Sequence, residues 1–93
     1  MHENNHQSLV VEIQNELGLH ARPSASFVKT ANEFKSHIFV EKDGEMVDGK
    51  SIMGLLILNA CQGTKLTIHA DGPDAKDAIK GLGQLVNNKF GED

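Results

Sequence analysis

The chain has 93 residues, of which 39% are hydrophobic, and it carries a formal net charge of −4 with a pI near 5.6. This length allows one small domain, and the acidic balance argues against nucleic-acid binding, which depends on a basic patch. Trp and Tyr are absent and only four Phe are present, so the core must be largely aliphatic and a shallow surface site is favoured over an enclosed cavity.

Residues 1–7 lack the charged-then-apolar order of a signal peptide and are expected to form a flexible tail, with the domain spanning residues 8–93. The longest apolar run, residues 54–58, is far shorter than the roughly 20 residues that a membrane span requires. Cys61 is the single cysteine, which excludes an internal disulfide and fits a reducing cytoplasm. We expect it to be a small, half-buried residue after a helix.

The first half of the chain predicts a strand, a helix and a hairpin. Alternating apolar residues at 9, 11 and 13 indicate a half-buried strand. A helix is then predicted from about residue 21 to residue 33, because apolar residues recur at Phe27, Val28, Ala31 and Phe34, and Pro23 fits its first turn. Residues 37–41 and 46–48 are predicted strands joined by an Asp-Gly turn.

The second half of the chain predicts two helices around a fourth strand. Ser51 is a favourable N-cap for a short helix over residues 52–58, and Gly63 fits the turn after it. Residues 66, 68 and 70 alternate as a strand, and a long apolar stripe from residue 75 to residue 86 predicts the last helix. We therefore predict an α+β open-faced sandwich in which three helices cover one face of a four-stranded antiparallel sheet.

An anion site is predicted where the first loop enters the first helix. His20 and Arg22 lie beside the free N–H groups and the positive end of that helix, and Gly18 can adopt the positive φ that lets the loop fold back. A neutral imidazole is a nucleophile, and its phosphorylated form would be held by the same amides and by Arg22. A loop histidine without a role is the alternative on this short motif alone.

Two other patterns in the sequence are weaker. Residues 44–51 match the nucleotide-binding pattern G-x-x-x-x-G-K-S, but they overlap a predicted hairpin and place Glu45 and Asp48 beside where phosphates would lie. A nucleotide hydrolase is therefore a poor alternative. The remaining histidines are His2, His6, His37 and His69. They lack the spacing of a metal site and are expected on the surface or on a strand face.

Two motifs together give the chain a resemblance to a known family. Residues 18–23 (Gly-Leu-His-Ala-Arg-Pro) and residues 50–56 (Lys-Ser-Ile-Met-Gly-Leu-Leu) closely resemble HPr, the histidine phosphocarrier of the bacterial sugar phosphotransferase system, and the likeness covers residues 8–90. The resemblance implies that His20 accepts a phosphoryl group from phosphorylated enzyme I and passes it to sugar-specific IIA domains. It also implies that Ser51 is a regulatory phosphorylation site and that Ile52, Met53 and Leu56 form an exposed docking patch.

The resemblance also has implications for location, partners and branch. It implies a cytoplasmic monomer without metal or organic cofactor, with an HPr kinase/phosphorylase as a further partner. Ser24 departs from the family's usual small apolar residue. It is expected either to cap an amide or to tune the site, and we assign it to the partner-binding residues. A nitrogen-branch phosphocarrier is the nearest alternative, although Lys50 and the residues after it favour the sugar branch.

Overall fold

The computed structural model describes residues 5–92, so most of the predicted tail lies outside the described residues. The elements in chain order are β1 (His6–Glu12), α1 (Ala21–Ala31), β2 (His37–Lys42), β3 (Glu45–Asp48), α2 (Ile52–Leu58), β4 (Lys65–Asp71) and α3 (Ala75–Asn87), followed by a 3₁₀ turn at Lys89–Gly91. This is the predicted order. The helix expected to reach residue 33 ends at Ala31, where the Glu33 N–H bonds Thr30 in a tighter turn.

The four strands form one antiparallel sheet in the order β1-β4-β2-β3. Ile68 in the middle of β4 pairs with Leu9 on one side and Val40 on the other. Successive side chains of a strand point to opposite faces, so the apolar residues of β4 share a single face. That face is buried against the helices.

The core lies between this sheet face and the three helices. It contains the buried apolar residues Val11, Ile13, Leu19, Phe27, Ala31, Ile38, Val40, Leu55, Leu58, Ala60, Leu66, Ile68, Ala70, Ala75, Ala78, Leu82, Val86 and Phe90. The side chains are almost all aliphatic, as the composition predicts. The predicted open-faced α+β sandwich is confirmed.

The domain begins earlier than the sequence indicates. His6 and Gln7, assigned above to the tail, belong to β1, where Gln7 pairs with Ala70 of β4. Their side chains are exposed and polar, so hydrophobic alternation gives no sign of the strand there. Backbone pairing with β4 extends the sheet to these residues.

The turn between β2 and β3 excludes the nucleotide-binding interpretation of residues 44–51. Asp43 and Gly44 have φ angles of 52° and 85°, the pair of positive values found in type I′ hairpins. The remaining residues of the pattern form an antiparallel strand and the start of a short helix. A phosphate-binding loop instead wraps around its ligand after a parallel strand. None of the helices within residues 5–92 is long and apolar enough to cross a membrane.

Candidate functional site

The loop between β1 and α1 is folded tightly against the segment that follows α2. The Gly18 N–H bonds the Asn15 carbonyl at 3.1 Å, and the Leu19 N–H bonds the Ala60 carbonyl at 2.8 Å. Gly18 has a φ of 75°, and a Cβ added there would lie 2.5 Å from the Ala60 oxygen. The predicted positive φ at Gly18 is confirmed, and the close approach explains why no larger residue fits.

His20 is the N-cap residue of α1, with extended backbone and no capping bond from its side chain. The side chain is 37% exposed, but Nε2 is shielded from solvent and lies 3.3 Å from Oε2 of Glu92. This contact is within ion-pair distance without the alignment of a hydrogen bond. Nε2 is therefore closed to an incoming group from solvent.

Arg22 lies two residues beyond His20, in the first turn of α1, and is exposed. An α-helix leaves its first N–H groups without intrahelical acceptors, so the amides of Ala21 and Arg22 are available at this end of α1. Pro23, in the first turn as predicted, has no N–H to leave unpaired. The guanidinium, the free amides and the helix dipole together suit a phosphoryl group bonded to His20.

The surface around these residues is shallow. One cavity of about 360 Å³ is lined in part by Leu17, Arg22 and Glu92, and another of about 290 Å³ by Leu17, His20 and Cys61. Both cavities are open to solvent, which suits transfer between two proteins better than enclosure of a small substrate.

Comparison with known proteins assigns this arrangement to a family. Residues 7–88 match the family described as the PTS HPr component phosphorylation site. The chain belongs to the HPr family. It is 49% identical over 82 residues to the phosphocarrier protein HPr of Neisseria meningitidis serogroup A, covering 88% of this chain and 92% of that protein. The HPr of Cupriavidus necator is 45% identical over 80 residues, covering 86% of this chain and 90% of the relative.

Solved structures of family members have the same fold. A crystal structure of HPr-C-His from Thermoanaerobacter tengcongensis matches with a TM-score of 0.90 and 48% identity, covering 94% of this chain and 98% of that one. Another HPr structure from the same organism, at 51% identity and a TM-score of 0.75 over 88% of this chain and 94% of that one, is described as a dimer. The resemblance inferred from the two motifs is therefore confirmed.

The second family motif forms the start of α2. The Ser51 side chain accepts a hydrogen bond from the Gly54 N–H at 3.1 Å and caps the helix, as predicted from the sequence. Lys50 extends away from it, and its Nζ donates to the Phe34 carbonyl at 2.8 Å. Ser51 is half-exposed, so its hydroxyl lies near the surface while it caps the helix.

The apolar residues of α2 divide into two sets. Leu55 and Leu58 are buried in the core, whereas Ile52, Met53 and Leu56 are 40%, 68% and 37% exposed. The three residues that the family resemblance implies to be exposed thus do lie on the surface. We call Ile52, Met53 and Leu56 the α2 patch. Ile57 is also exposed, which the sequence did not indicate.

Ser24 does not lie on the partner-binding surface, and that expectation is wrong. The residue is completely buried, and its hydroxyl donates to the Leu19 carbonyl at 3.3 Å. Ser24 faces the interior because it is one turn from Phe27 and Val28 on the inner side of α1. Its contact supports the backbone immediately before His20.

The expectation for Cys61 also needs correction. Cys61 is exposed rather than half-buried, because it lies in the turn between α2 and β4 with its side chain directed outward. Among the histidines, the rings of His6 and His69 are tilted by 32° with centroids 5.5 Å apart, and His69 Nε2 lies 2.9 Å from Glu41 Oε1. No group of three or more metal-ligating side chains occurs within residues 5–92.

Two residues near His20 were not identified as site residues from the sequence. Asn15 is 1% exposed, although it precedes the motif in a loop, and Glu92 reaches His20 from the far end of the chain. The only sequence signal for Asn15 is its place before Gly18, where a turn is expected. Glu92 gives no local signal, because its position depends on how the residues after α3 pack.

Proposed function

We propose that this chain carries a phosphoryl group on Nδ1 of His20, accepting it from phosphorylated enzyme I and passing it to sugar-specific IIA domains. The observation that supports this most directly is the arrangement of His20 in a chain of the HPr family. Its Nε2 is shielded from solvent, and Arg22 and the first amides of α1 lie at the same helix end.

The chemistry requires one bond to form as another breaks. The lone pair of Nδ1 attacks phosphorus, an N–P bond forms, and the donor keeps the electron pair of its own bond to phosphorus. Arg22 and the free amides hold the phosphoryl oxygens while the N–P bond persists. The site must not hold the phosphorylated state too tightly, because the group has to leave again.

Docking and regulation use α2 in this proposal. The exposed α2 patch offers apolar surface for enzyme I and the IIA domains. Ser51, beside that patch, would be the target of an HPr kinase/phosphorylase, and the carrier would act in the cytoplasm as a monomer. Sedimentation at micromolar concentration tests the last point, since one related HPr structure is described as a dimer.

Incubation with phosphoenolpyruvate and enzyme I tests the proposal. We expect a mass increase of one phosphoryl group that is lost in acid, as for an N–P bond, and that is absent from His20→Ala. Full labelling of His20→Ala would refute the assignment.

A second step distinguishes the branches. The phosphorylated carrier is offered separately to a IIA domain of a sugar permease and to its nitrogen-branch counterpart. Preferential transfer to the sugar IIA domain supports the proposal, and preferential transfer to the other supports the nitrogen-branch alternative.

A further inference from the structure

The residues after α3 are fixed beside His20 by a buried aromatic residue. After α3 the 3₁₀ turn places Phe90 in the core, where it is 8% exposed. Glu92 follows two residues later, and its side chain is only 18% exposed beside His20. Packing of Phe90 therefore holds the Glu92 carboxylate beside the His20 imidazole.

Asn15 holds this carboxylate from the other side. Its Nδ2 donates one hydrogen bond to the Gly18 carbonyl at 2.7 Å and one to Glu92 Oε1 at 3.1 Å. An amide nitrogen has two protons, so both donors are used. One oxygen of Glu92 thus faces Asn15, and the other faces Nε2 of His20 at 3.3 Å.

We propose that Asn15 and Glu92 are positioning residues that hold His20 in the Nε2–H form, with the lone pair on Nδ1. A carboxylate can only accept hydrogen bonds, so a proton on Nε2 is favoured where that nitrogen faces Glu92 and is shielded from water. This role deepens the proposed function and rests on it, because a phosphoryl acceptor at Nδ1 needs that lone pair available.

The same carboxylate also offsets charge that develops during transfer. When Nδ1 in the Nε2–H form bonds to phosphorus, no proton leaves and the ring becomes an imidazolium. Glu92 then lies beside the new positive charge, on the side of the ring away from the phosphoryl group. A carboxylate that orients a histidine and stabilises its cation acts in the same way in hydrolases.

Glu92→Gln tests this role directly, because the hydrogen bond from Asn15 fixes the orientation of the introduced amide group. Nδ2 of Asn15 needs an acceptor, so the oxygen of the introduced amide faces Asn15 and its NH₂ group faces Nε2 of His20. Nε2 must then accept, which moves the proton to Nδ1. We expect ¹⁵N chemical shifts of His20 in the free protein to change from the Nε2–H form to the Nδ1–H form in Glu92→Gln.

Transfer should change with the tautomer. Single-turnover phosphorylation by phosphorylated enzyme I should be at least about tenfold slower in Glu92→Gln at saturating donor, because the carboxylate that favours a proton on Nε2 is gone. Glu92→Asp should recover part of the rate because it keeps the carboxylate. Glu16→Gln, which removes the same charge from an exposed residue of the loop before His20, should keep the wild-type tautomer and stay within about twofold of the rate.

Three outcomes would contradict the positioning role of Glu92. Unchanged ¹⁵N shifts, an unchanged rate, or an equal rate loss in Glu16→Gln would overturn the inference. Asn15→Ala should reproduce the loss in part if it folds, but it leaves a buried site empty, so Glu92→Gln is the deciding variant. If the wild type takes no phosphoryl group from enzyme I, the proposed function is wrong. The ¹⁵N shifts then still test whether Glu92 sets the tautomer of His20.

Discussion

Asp74, at the start of α3, accepts two hydrogen bonds from Ser36, one from its N–H at 2.9 Å and one from its hydroxyl at 2.6 Å. The second carboxylate oxygen accepts the Lys35 N–H at 2.8 Å. Ser36 is buried, so these contacts join the α1–β2 loop to α3. The Ser36 hydroxyl, followed by the Lys35 N–H, lowers the pKa of Asp74 below its usual 3.8.

Asp74→Asn should lower the Tm by a few degrees at neutral pH. The Tm of the variant should also fall less steeply than that of the wild type as the pH is lowered. The pKa of Asp74 is lower in the folded than in the unfolded protein, so its ionised form stabilises the fold above pH 3.8. This contribution is lost as the pH falls through the folded-state pKa. Thermal unfolding from about pH 6 to pH 2 measures the effect, with Asp77→Asn in the same helix turn as the control. Identical curves for the two variants would contradict it.

Arg22→Lys should keep the fold but slow phosphoryl transfer by roughly tenfold, because an ammonium cannot reproduce the planar set of guanidinium donors. Arg22 is exposed, so thermal unfolding should be nearly unchanged. Rapid-quench measurement of transfer in both directions provides the check. Wild-type rates in both would remove Arg22 from the site.

Met53→Glu should raise the KM for phosphorylated enzyme I several-fold to about tenfold, since a charge must then be desolvated in the interface. Stability should change by no more than about 0.5 kcal/mol, as for other exposed positions. Met46→Glu is the matched control, because Met46 is 53% exposed but lies on β3 rather than in the α2 patch. Equal KM changes in the two variants would show that the α2 patch is not where enzyme I docks.

Ser51→Asp should fold as stably as the wild type and accept phosphoryl groups several-fold more slowly. An Asp side chain keeps the cap that Ser51 provides, whereas Ser51→Ala should cost about 1 kcal/mol of stability. The added negative charge lies beside the α2 patch and opposes docking. Chemical denaturation and transfer kinetics separate the two effects, and wild-type transfer by Ser51→Asp would leave Ser51 as a cap alone.

The sequence predicts the elements and their order because hydrophobic periodicity and caps are local signals. Ser51 caps α2 as expected, and Gly18 adopts the positive φ that its turn requires. Local signals fail where the backbone rather than the side chains decides the structure. His6 and Gln7 join the sheet through pairing with β4 although their side chains are polar and exposed.

The site is only partly readable from sequence for a related reason. His20 and Arg22 belong to one short motif, so their proximity is a local property of the helix start. Glu92 lies far away along the chain and is placed beside His20 by the tertiary packing of the residues after α3, including buried Phe90. Ser24, in contrast, was assigned to the site although it is buried. Its polar side chain and its position next to the motif suggest exposure, but the helix directs the side chain inward.

The sheet order β1-β4-β2-β3 affects when the loop that holds His20 can form during synthesis. β4 lies between β1 and β2, so the N-terminal third of a nascent chain has no central strand to pair with until residues 65–71 have left the ribosome. The Leu19 N–H likewise cannot form its hydrogen bond to the Ala60 carbonyl until Ala60 has been synthesised. Non-local pairing of this kind slows folding compared with helical domains of the same size. In pulsed hydrogen exchange during refolding, protection of the Leu19 amide should therefore arise together with that of β4, and earlier protection would show that the loop forms without the sheet.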